Sequence, residues 1–243
     1  MLVIYEVSLP TYVKLAHFCV ERGLFSCVVG RGLCGFIGKT QIRTTIRQSP
    51  TLIPKEHWWK YTNMNPSAPS IKGLIKIHKP DKPLRPVVNW RNAPAYRLST
   101  LFTDKINRLV PPPNSFNIKN TQDLLKILDD TPVLPHYTLA SLDITNFYYN
   151  IPVKETRTIL ANIMTQNLID PQTKQNLLKW YDVITKQNCF VHNEQRVIQH
   201  DGFAMGAQSS GPIAEIFLQH IEHSHLIRLT QKRKILNFCK LSY

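Results

Sequence analysis

A single carboxylate at the end of an apolar run is the feature that most constrains how this chain can fold. The run is YTLASLDI, residues 137–144, which predicts a buried strand leading to Asp143, and three aromatics follow it: Phe147, Tyr148 and Tyr149. An uncompensated buried carboxylate costs on the order of several kcal/mol. Asp143 must therefore be hydrogen-bonded, ion-paired or bound to a metal ion, and its partner must come from elsewhere in the chain.

The charge balance indicates a polyanionic partner. The chain has 243 residues, enough for one large or two small domains, and 43% of them are hydrophobic. Thirty Lys and Arg against 16 Asp and Glu leave a formal charge of +14, which favours nucleic acid as a ligand. Between Lys72 and Arg108, nine basic residues are accompanied only by Asp81 and Asp104. This basic segment is either a solvated face or a nucleic-acid-binding surface.

Several classes of protein are disfavoured by the sequence. The longest apolar stretch near the start, LFSCVVG, ends at Arg31, which is too short for a membrane span or a convincing signal peptide. We therefore expect no membrane association and a nuclear or cytoplasmic protein that is not secreted. Five cysteines form no C-x-x-C pair and have no His at zinc-ligand spacing, so we expect reduced, packed thiols.

Residues 1–65 show no clean periodicity and contain two imperfect nucleotide-binding patterns. GFIGKT resembles the end of a phosphate-binding loop, but Leu33 stands where that loop requires its first glycine. The pattern Gly30-x-Gly32-x-x-Gly35 lacks the acidic residue that should follow about 20 positions later. A nucleotide-phosphate enzyme using GFIGKT is therefore a minor alternative. The linker-like stretch NMNPSAPS places the start of the ordered domain near residue 66.

The remaining sequence alternates strands and helices. GLIKIHKP and LRPVVNW, separated by the turn PDKP, predict a basic hairpin, and CFVH and RVIQ predict a second hairpin that ends in HDGFAMG. Apolar spacing, caps and prolines predict five helices: one over residues 96–110, and others starting near Asn120 or Thr121, after Pro152, at Asp170-Pro171 and after Pro212.

Three ordered motifs carry a family resemblance. GLIKIHKPDKPLRP, SLDITNFYYNIP and QHDGFAMGAQSSGPIAEIF resemble the reverse transcriptase domain of Penelope-like retroelements, a branch akin to telomerase. The resemblance covers about residues 70–243. It implies an α+β fold that is the fingers–palm portion of a right-hand polymerase, with an incomplete palm sheet and no thumb. Fingers and partial palm would then occupy residues 66–243, with residues 1–65 unassigned.

The resemblance also implies a metal site and its partners. Template-directed polymerisation uses two divalent ions that hold the attacking and leaving oxygens. Asp143 matches the catalytic carboxylate that binds Mg²⁺, and the backbone carbonyl of Ile144 would supply another oxygen. The partners implied are an RNA template, a DNA primer and deoxynucleoside triphosphates; the oligomeric state stays open.

Four further positions match the family's binding residues for the incoming nucleotide and template pair. Lys79 and Arg85 flank the PDKP turn and would grip the triphosphate. Tyr148 would pack against the sugar and exclude a 2′ hydroxyl, whereas its two aromatic neighbours are expected in the core. Gly206 would let the backbone approach the template pair. The family often has AMGSPLSP where this chain has AMGAQSSGP, and Asp201 before this motif is interpreted as a turn residue.

The family's next motif is a Tyr-x-Asp-Asp hairpin, whose acids meet the first aspartate. By spacing, Tyr243 stands about where that tyrosine would be, so we expect this sequence to be catalytically incomplete on its own. The alternative function is that of a non-catalytic, basic nucleic-acid-binding protein derived from such an element.

Overall fold

The described residues form a mixed α+β structure with two β-sheets, which confirms the α+β class. The structure is a computed structural model. It describes residues 2–6, 25–28, 39–75, 77, 84–111, 116–132, 137–141, 144, 146–192, 195–232 and 235–241.

The strands and helices have the following bounds. The strands are β1 Leu2–Glu6, β2 Phe25–Val28, β3 Ser70–Ile75, β4 Leu84–Asn89, β5 Asn117–Ile118, β6 Tyr137–Ser141, β7 Cys189–His192, β8 Gln195–Gln199 and β9 Ile235–Leu241. The α-helices are α1 Lys39–Arg47, α2 Tyr96–Leu109, α3 Thr121–Asp129, α4 Phe147–Asn150, α5 Val153–Gln166, α6 Pro171–Thr185, α7 Ser210–Ile221 and α8 Ile227–Gln231. A 3-10 helix covers Lys55–Tyr61, and a π-helical turn covers Glu222–Leu226.

Two compact units divide the chain. The first unit comprises Met1–Glu21, Pro112–Phe147 and Phe217–Tyr243, and the second comprises Arg22–Pro111 and Tyr148–Ile216. Residues 1–65 thus contribute to both units. The boundary expected between the unassigned residues 1–65 and the fingers and partial palm at residues 66–243 stays a prediction.

The sheet of the first unit has the strand order β5-β9-β1-β6. Strand β1 runs antiparallel to both neighbours: Leu2 pairs with Ser141 of β6 on one side and with Cys239 of β9 on the other. The core of this unit includes buried Phe238, whose ring meets that of Phe116 edge-on at 5.1 Å between centroids. The strand predicted before Asp143 is present as β6, and it pairs with β1.

The sheet of the second unit has the order β2-β8-β7-β3-β4 and contains both predicted hairpins. In the first, β3 and β4 pair antiparallel from Ser70 opposite Asn89 to Ile75 opposite Leu84. In the second, β7 pairs with β8. A short parallel pairing of Ser70 with Val191 joins the two hairpins into one sheet. The sequence therefore predicted both hairpins correctly.

The second unit has a core built by its helices. Trp180 and Tyr181 of α6 and Phe102 of α2 are almost fully buried, and the rings of Phe102 and Tyr181 lie 6.4 Å apart. The indole N–H of Trp180 donates a hydrogen bond to Ser49 Oγ at 2.9 Å. The region around α1 therefore packs into this unit, although it precedes the linker-like stretch.

Local capping explains where two helices begin. The side chain of Asn120 accepts a hydrogen bond from the Asp123 amide at 2.9 Å, which caps α3. Asp170 caps α6 by accepting from the Thr173 amide at 2.8 Å, and Pro171 occupies the first turn. This amide also lowers the pKa of the Asp170 carboxyl. Both starts agree with the sequence prediction.

Two further sequence expectations have structural outcomes. Cys239 is buried and forms no disulfide, but Cys189 is disulfide-bonded, so the expectation of reduced cysteines is wrong for Cys189. Among the described residues, no helix has the length and apolar character needed to cross a membrane.

Candidate functional site

The turn predicted from HDGFAMG lies directly against strand β4. The amide of Val88 donates a hydrogen bond to the carbonyl of Met205 at 2.8 Å. Gly206 has a φ of +112°, and a β-carbon there would collide with the carbonyl oxygen of Val88. Both the backbone angle and the space require glycine at this position. Gly206 is nevertheless exposed, so its other side presents bare backbone to solvent.

Asp201 holds the start of this turn. Its Oδ1 accepts hydrogen bonds from the amide of Gly202 at 2.9 Å and from that of Val153 at 3.0 Å. Its backbone carbonyl accepts from the side-chain amide of Gln199 at 2.8 Å. Because Val153 is the first residue of α5, Asp201 fixes the turn to a helix N-terminus. This is the structural role expected of a turn residue.

The same turn also contacts the aromatic segment after Asp143. The amide of Phe203 donates to the carbonyl of Tyr148 at 2.7 Å. Gly202 has a φ of +79°, and a β-carbon there would collide with the backbone of Tyr149. The glycine therefore permits a close approach of two backbone segments that lie far apart in sequence.

Tyr149 connects the aromatic segment to the basic hairpin. Its hydroxyl donates a hydrogen bond to the carbonyl of Pro86 in β4. Burial raises the pKa of Tyr149 to about 12, and the nearby positive charge of Arg85 opposes that rise. The phenol thus stays neutral and remains a donor at physiological pH. As expected from the sequence, Tyr149 is a core aromatic, whereas Tyr148 is only half-buried.

The described contacts bring together parts of all three family motifs. Arg85 is exposed on β4, next to the Tyr149–Pro86 hydrogen bond, and the turn at Gly206 lies against the same strand. Tyr148 contacts that turn through its backbone carbonyl, which accepts the hydrogen bond from the Phe203 amide. The nucleotide-binding roles of Arg85, Tyr148 and Gly206 stay predictions, because their placement alone assigns no ligand.

The structure describes only part of the predicted metal site. Asp143 and Lys79 lie outside the described residues, and Ile144 is half-buried in the first unit. Among the residues that the structure describes, no group of three or more His, Cys, Asp or Glu side chains could hold a metal ion. The metal roles of Asp143 and Ile144 therefore stay predictions.

Serines stabilise the segment that departs from the family pattern. Ser209 and Ser210 are buried at the start of α7. The amide of Ser209 donates to Ser99 Oγ at 3.1 Å, and Ser99 Oγ in turn donates to Ser209 Oγ at 3.0 Å. Ser210 Oγ donates to the carbonyl of Ala204 at 2.8 Å. These hydrogen bonds hold AMGAQSSGP in place without the two prolines found in the family. Sequence reasoning missed Ser99, because a lone serine within a helix has no distinguishing signal.

A small cavity of about 20 Å³ lies beside the turn. Its lining includes Trp90, Gln187 and Gln199. Within the described part of the chain, the indole nitrogen of Trp90, both amide atoms of Gln187 and Oε1 of Gln199 make no hydrogen bond. The space suits about one water molecule and is far too small for a nucleotide. A nucleotide would have to bind on the outer surface of the turn.

Comparisons with protein-family models, curated proteins and solved structures return no match for this chain. The family resemblance therefore depends on the three motifs and on the chemistry of their residues.

Proposed function

We propose that the chain is the fingers and partial palm of an RNA-directed DNA polymerase, similar to the reverse transcriptases of Penelope-like retroelements. The observation that supports this proposal best is that parts of the three motifs meet within the second unit. The amide of Val88 donates to the carbonyl of Met205, and the amide of Phe203 donates to the carbonyl of Tyr148. The hydroxyl of Tyr149 donates to the carbonyl of Pro86. Each of these hydrogen bonds joins segments that lie far apart in the sequence.

The exposed groups at this convergence suit an incoming nucleotide. The guanidinium of Arg85 is exposed and can bind a triphosphate through two parallel hydrogen bonds. Gly206 offers backbone without a side chain, which suits contact with a base pair formed by nucleotide and template. Lys79 would add a second positive charge, and Tyr148 would contact the sugar.

We expect catalysis to require further carboxylates beside Asp143. Two Mg²⁺ ions held about 3.5–4 Å apart need several carboxylates that meet at one point. Asp129 and Asp130 lie at the exposed end of α3. Asp182 forms an ion pair with Arg157 through two hydrogen bonds of 2.6 and 3.0 Å. We therefore expect no primer extension by these 243 residues alone.

A primer-extension assay tests the proposal. The chain is extended with a Tyr-x-Asp-Asp hairpin and a thumb from a related element, and DNA synthesis on an RNA template is measured with Mg²⁺. We expect synthesis in this extended protein and its loss in Asp143→Asn, whereas the control Asp129→Asn keeps full activity. Extension by the 243 residues alone, or full activity in Asp143→Asn, would contradict the proposal.

Nucleotide binding separates the polymerase from the non-catalytic, basic nucleic-acid-binding protein. Both functions predict RNA binding that weakens steeply with salt. Only the polymerase predicts that the chain binds deoxynucleoside triphosphates and that Arg85→Gln weakens this binding by about tenfold, as expected for one charged hydrogen bond. Lys179→Gln, on the exposed side of α6, is the charge-matched control. Absence of nucleotide binding, with RNA binding intact, would favour the non-catalytic alternative.

A further inference from the structure

A second basic and aromatic surface lies in the second unit, formed largely by residues before the family motifs. We call it the Trp59 patch. Its members are Lys39, Arg43, Trp59, Lys60, Met64 and Arg97. Trp59 is 66% exposed and Met64 is 53% exposed, although both side chains are large and apolar. Large apolar side chains that remain exposed beside several cations are typical of a binding surface.

The 3-10 helix positions the aromatic part of the patch. Trp58 is anchored by its indole N–H, which donates to the carbonyl of Ile53 at 3.1 Å, so the adjacent Trp59 points away from that anchor into solvent. The ammonium of Lys60 lies 5.9 Å from the ring centroid of Trp59. This is a cation–π arrangement. A positive charge therefore stands directly beside an accessible aromatic face.

Arg97 and two residues of α1 hold the segment after Trp59 from different elements. Arg97 Nη1 donates to the carbonyl of Lys60 at 3.1 Å. Lys39 Nζ donates to the carbonyl of Met64 at 2.8 Å, and Arg43 Nη2 lies 3.9 Å from the sulfur of Met64. These contacts fix the cations around the exposed side chains and still leave most of their hydrogen-bond donors available.

Within the described part of the chain, no carboxylate neutralises the four cations of the patch. None of them forms an ion pair with a carboxylate of the described residues. Glu56 is the acidic residue of the 3-10 helix, and it too is exposed. A protein partner could use Trp59 and Met64, but four cations with such little acidic compensation favour a polyanion.

We propose that the Trp59 patch binds single-stranded nucleic acid. A base stacks on the exposed ring of Trp59, while Lys60, Arg43 and Arg97 contact the phosphates on either side. Base–aromatic stacking tolerates any sequence because every base has a π-face, so binding is expected to show little sequence preference. Five of the six residues precede the stretch that resembles a polymerase, and stacking requires neither nucleotide nor metal. The inference therefore does not depend on the proposed function.

Tryptophan fluorescence provides a direct test. Trp90 and Trp180 are buried, and the half-buried Trp58 is held by its hydrogen bond to Ile53, so stacking on the exposed Trp59 should dominate any change. The full chain is titrated with 15-residue oligo(dT) and oligo(U) at low salt. We expect quenching of the parent's fluorescence. We also expect Trp59→Ala to weaken affinity by about fivefold to a hundredfold, the range that stacking of one base contributes. Trp59→Phe should retain part of the affinity.

The matched control is Leu168→Ala, because Leu168 is an apolar side chain with 91% exposure in the same unit. The oligonucleotide affinity of Leu168→Ala should equal that of the parent. Arg43→Gln should weaken binding to both oligonucleotides equally and reduce the slope of log affinity against log salt by about one. Circular dichroism establishes that each variant is folded.

Equal oligonucleotide affinity in Trp59→Ala and the parent would overturn the inference. So would a result in which Trp59→Ala leaves oligonucleotide affinity unchanged but abolishes self-association in sedimentation, since the patch would then be a protein interface. A failure of primer extension in the completed polymerase would not affect this test, because oligonucleotide binding is measured without primer, nucleotide or Mg²⁺.

Discussion

The amide of Val88 donates a hydrogen bond to the carbonyl of Met205, and this bond sets how closely the turn approaches strand β4. The next residue, Gly206, lies so near the carbonyl of Val88 that no β-carbon fits. A hairpin predicted to hold the triphosphate and a turn predicted to support the template pair are thereby joined through backbone atoms. Side chains on either element can change without loosening this connection.

Replacing Gly206 by alanine should destabilise the second unit. The substitution places a β-carbon against the Val88 carbonyl and forces alanine into a φ of +112°. Such backbone strain costs about 1–3 kcal/mol. The control is Gly211→Ala in α7, where a β-carbon would meet nothing within 4 Å. It should leave the free energy of unfolding unchanged or raise it by up to about 1 kcal/mol. Urea denaturation measures both, and equal stabilities of the two variants would contradict the prediction.

The buried phenol of Tyr149 should make stability fall at high pH. Because burial raises the pKa of Tyr149 from 10.0 to about 12, the neutral phenol stabilises the folded chain below pH 10. That contribution is lost as the pH rises through 12. Tyr149→Phe should therefore flatten the loss of stability between pH 10 and 12. At pH 7 it should cost about 1 kcal/mol, since the Pro86 carbonyl loses its donor.

Urea denaturation at a series of pH values gives this profile. Burial also raises the pKa of Tyr181, but that residue is present in both proteins and its effect cancels in the comparison. If the stability of Tyr149→Phe fell with pH in parallel with that of the parent across the alkaline range, the Tyr149 phenol would not control the loss of stability.

Tyr148 should control the choice of sugar in the completed polymerase. If its ring contacts the incoming sugar, Tyr148→Ala should increase the incorporation of ribonucleotides relative to deoxynucleotides by tenfold or more, about the effect of 1.4 kcal/mol. Tyr148→Phe keeps the ring and should keep the parent's discrimination. Competitive primer extension with both nucleotide types measures the ratio. Unchanged discrimination in Tyr148→Ala would identify Tyr148 as a packing residue.

The buried ion pair of the first unit should be sensitive to the loss of one partner. Lys240 Nζ donates to Glu222 Oε2 at 3.2 Å and lies 3.1 Å from Oε1, and both side chains are more than nine-tenths buried. Removing one member leaves a buried charge without this partner, so Glu222→Gln should cost about 3–5 kcal/mol. The double variant Glu222→Leu/Lys240→Leu should recover most of that loss.

A more exposed pair serves as the control for this prediction. The side chains of Arg157 and Asp182 are 42% and 37% exposed, so Asp182→Asn should cost about 1 kcal/mol or less. Thermal denaturation of the three variants compares the two pairs directly. Similar losses from Glu222→Gln and Asp182→Asn would mean that burial does not determine the effect.

Local signals predicted several helix starts and both hairpins. Asn120 and Asp170 are side chains that cap helices by their own chemistry, and both do so here. The PDKP and NEQ segments separate apolar runs at hairpin spacing, and both hairpins form. In each case the interacting residues are close in sequence, so a short window contains the whole interaction.

Long-range pairings escaped prediction for the corresponding reason. Nothing within Leu2–Glu6 indicates that this strand pairs with β6 and β9, because its partners lie far away in sequence. Helix α1 was also missed: it has only nine residues, and its buried Ile42 and Ile46 are interrupted by threonines that favour strands. At the site, Gly206 and Asp201 were found through their chemistry, whereas Ser99 acquires its role only through contact with Ser209.

The pairing of β1 with β9 has a consequence for synthesis of the chain on the ribosome. Strand β1 is translated long before β9, yet it lies between β6 and a strand that begins at Ile235. Until Ile235–Leu241 leaves the exit tunnel, one edge of β1 has no neighbour, and an open edge can recruit strands from other nascent chains. Segments of the second unit end at Ile216 and are all available earlier. If the ribosome pauses after the second unit is complete and before β9 emerges, the second unit can fold while the first unit is still vulnerable to aggregation.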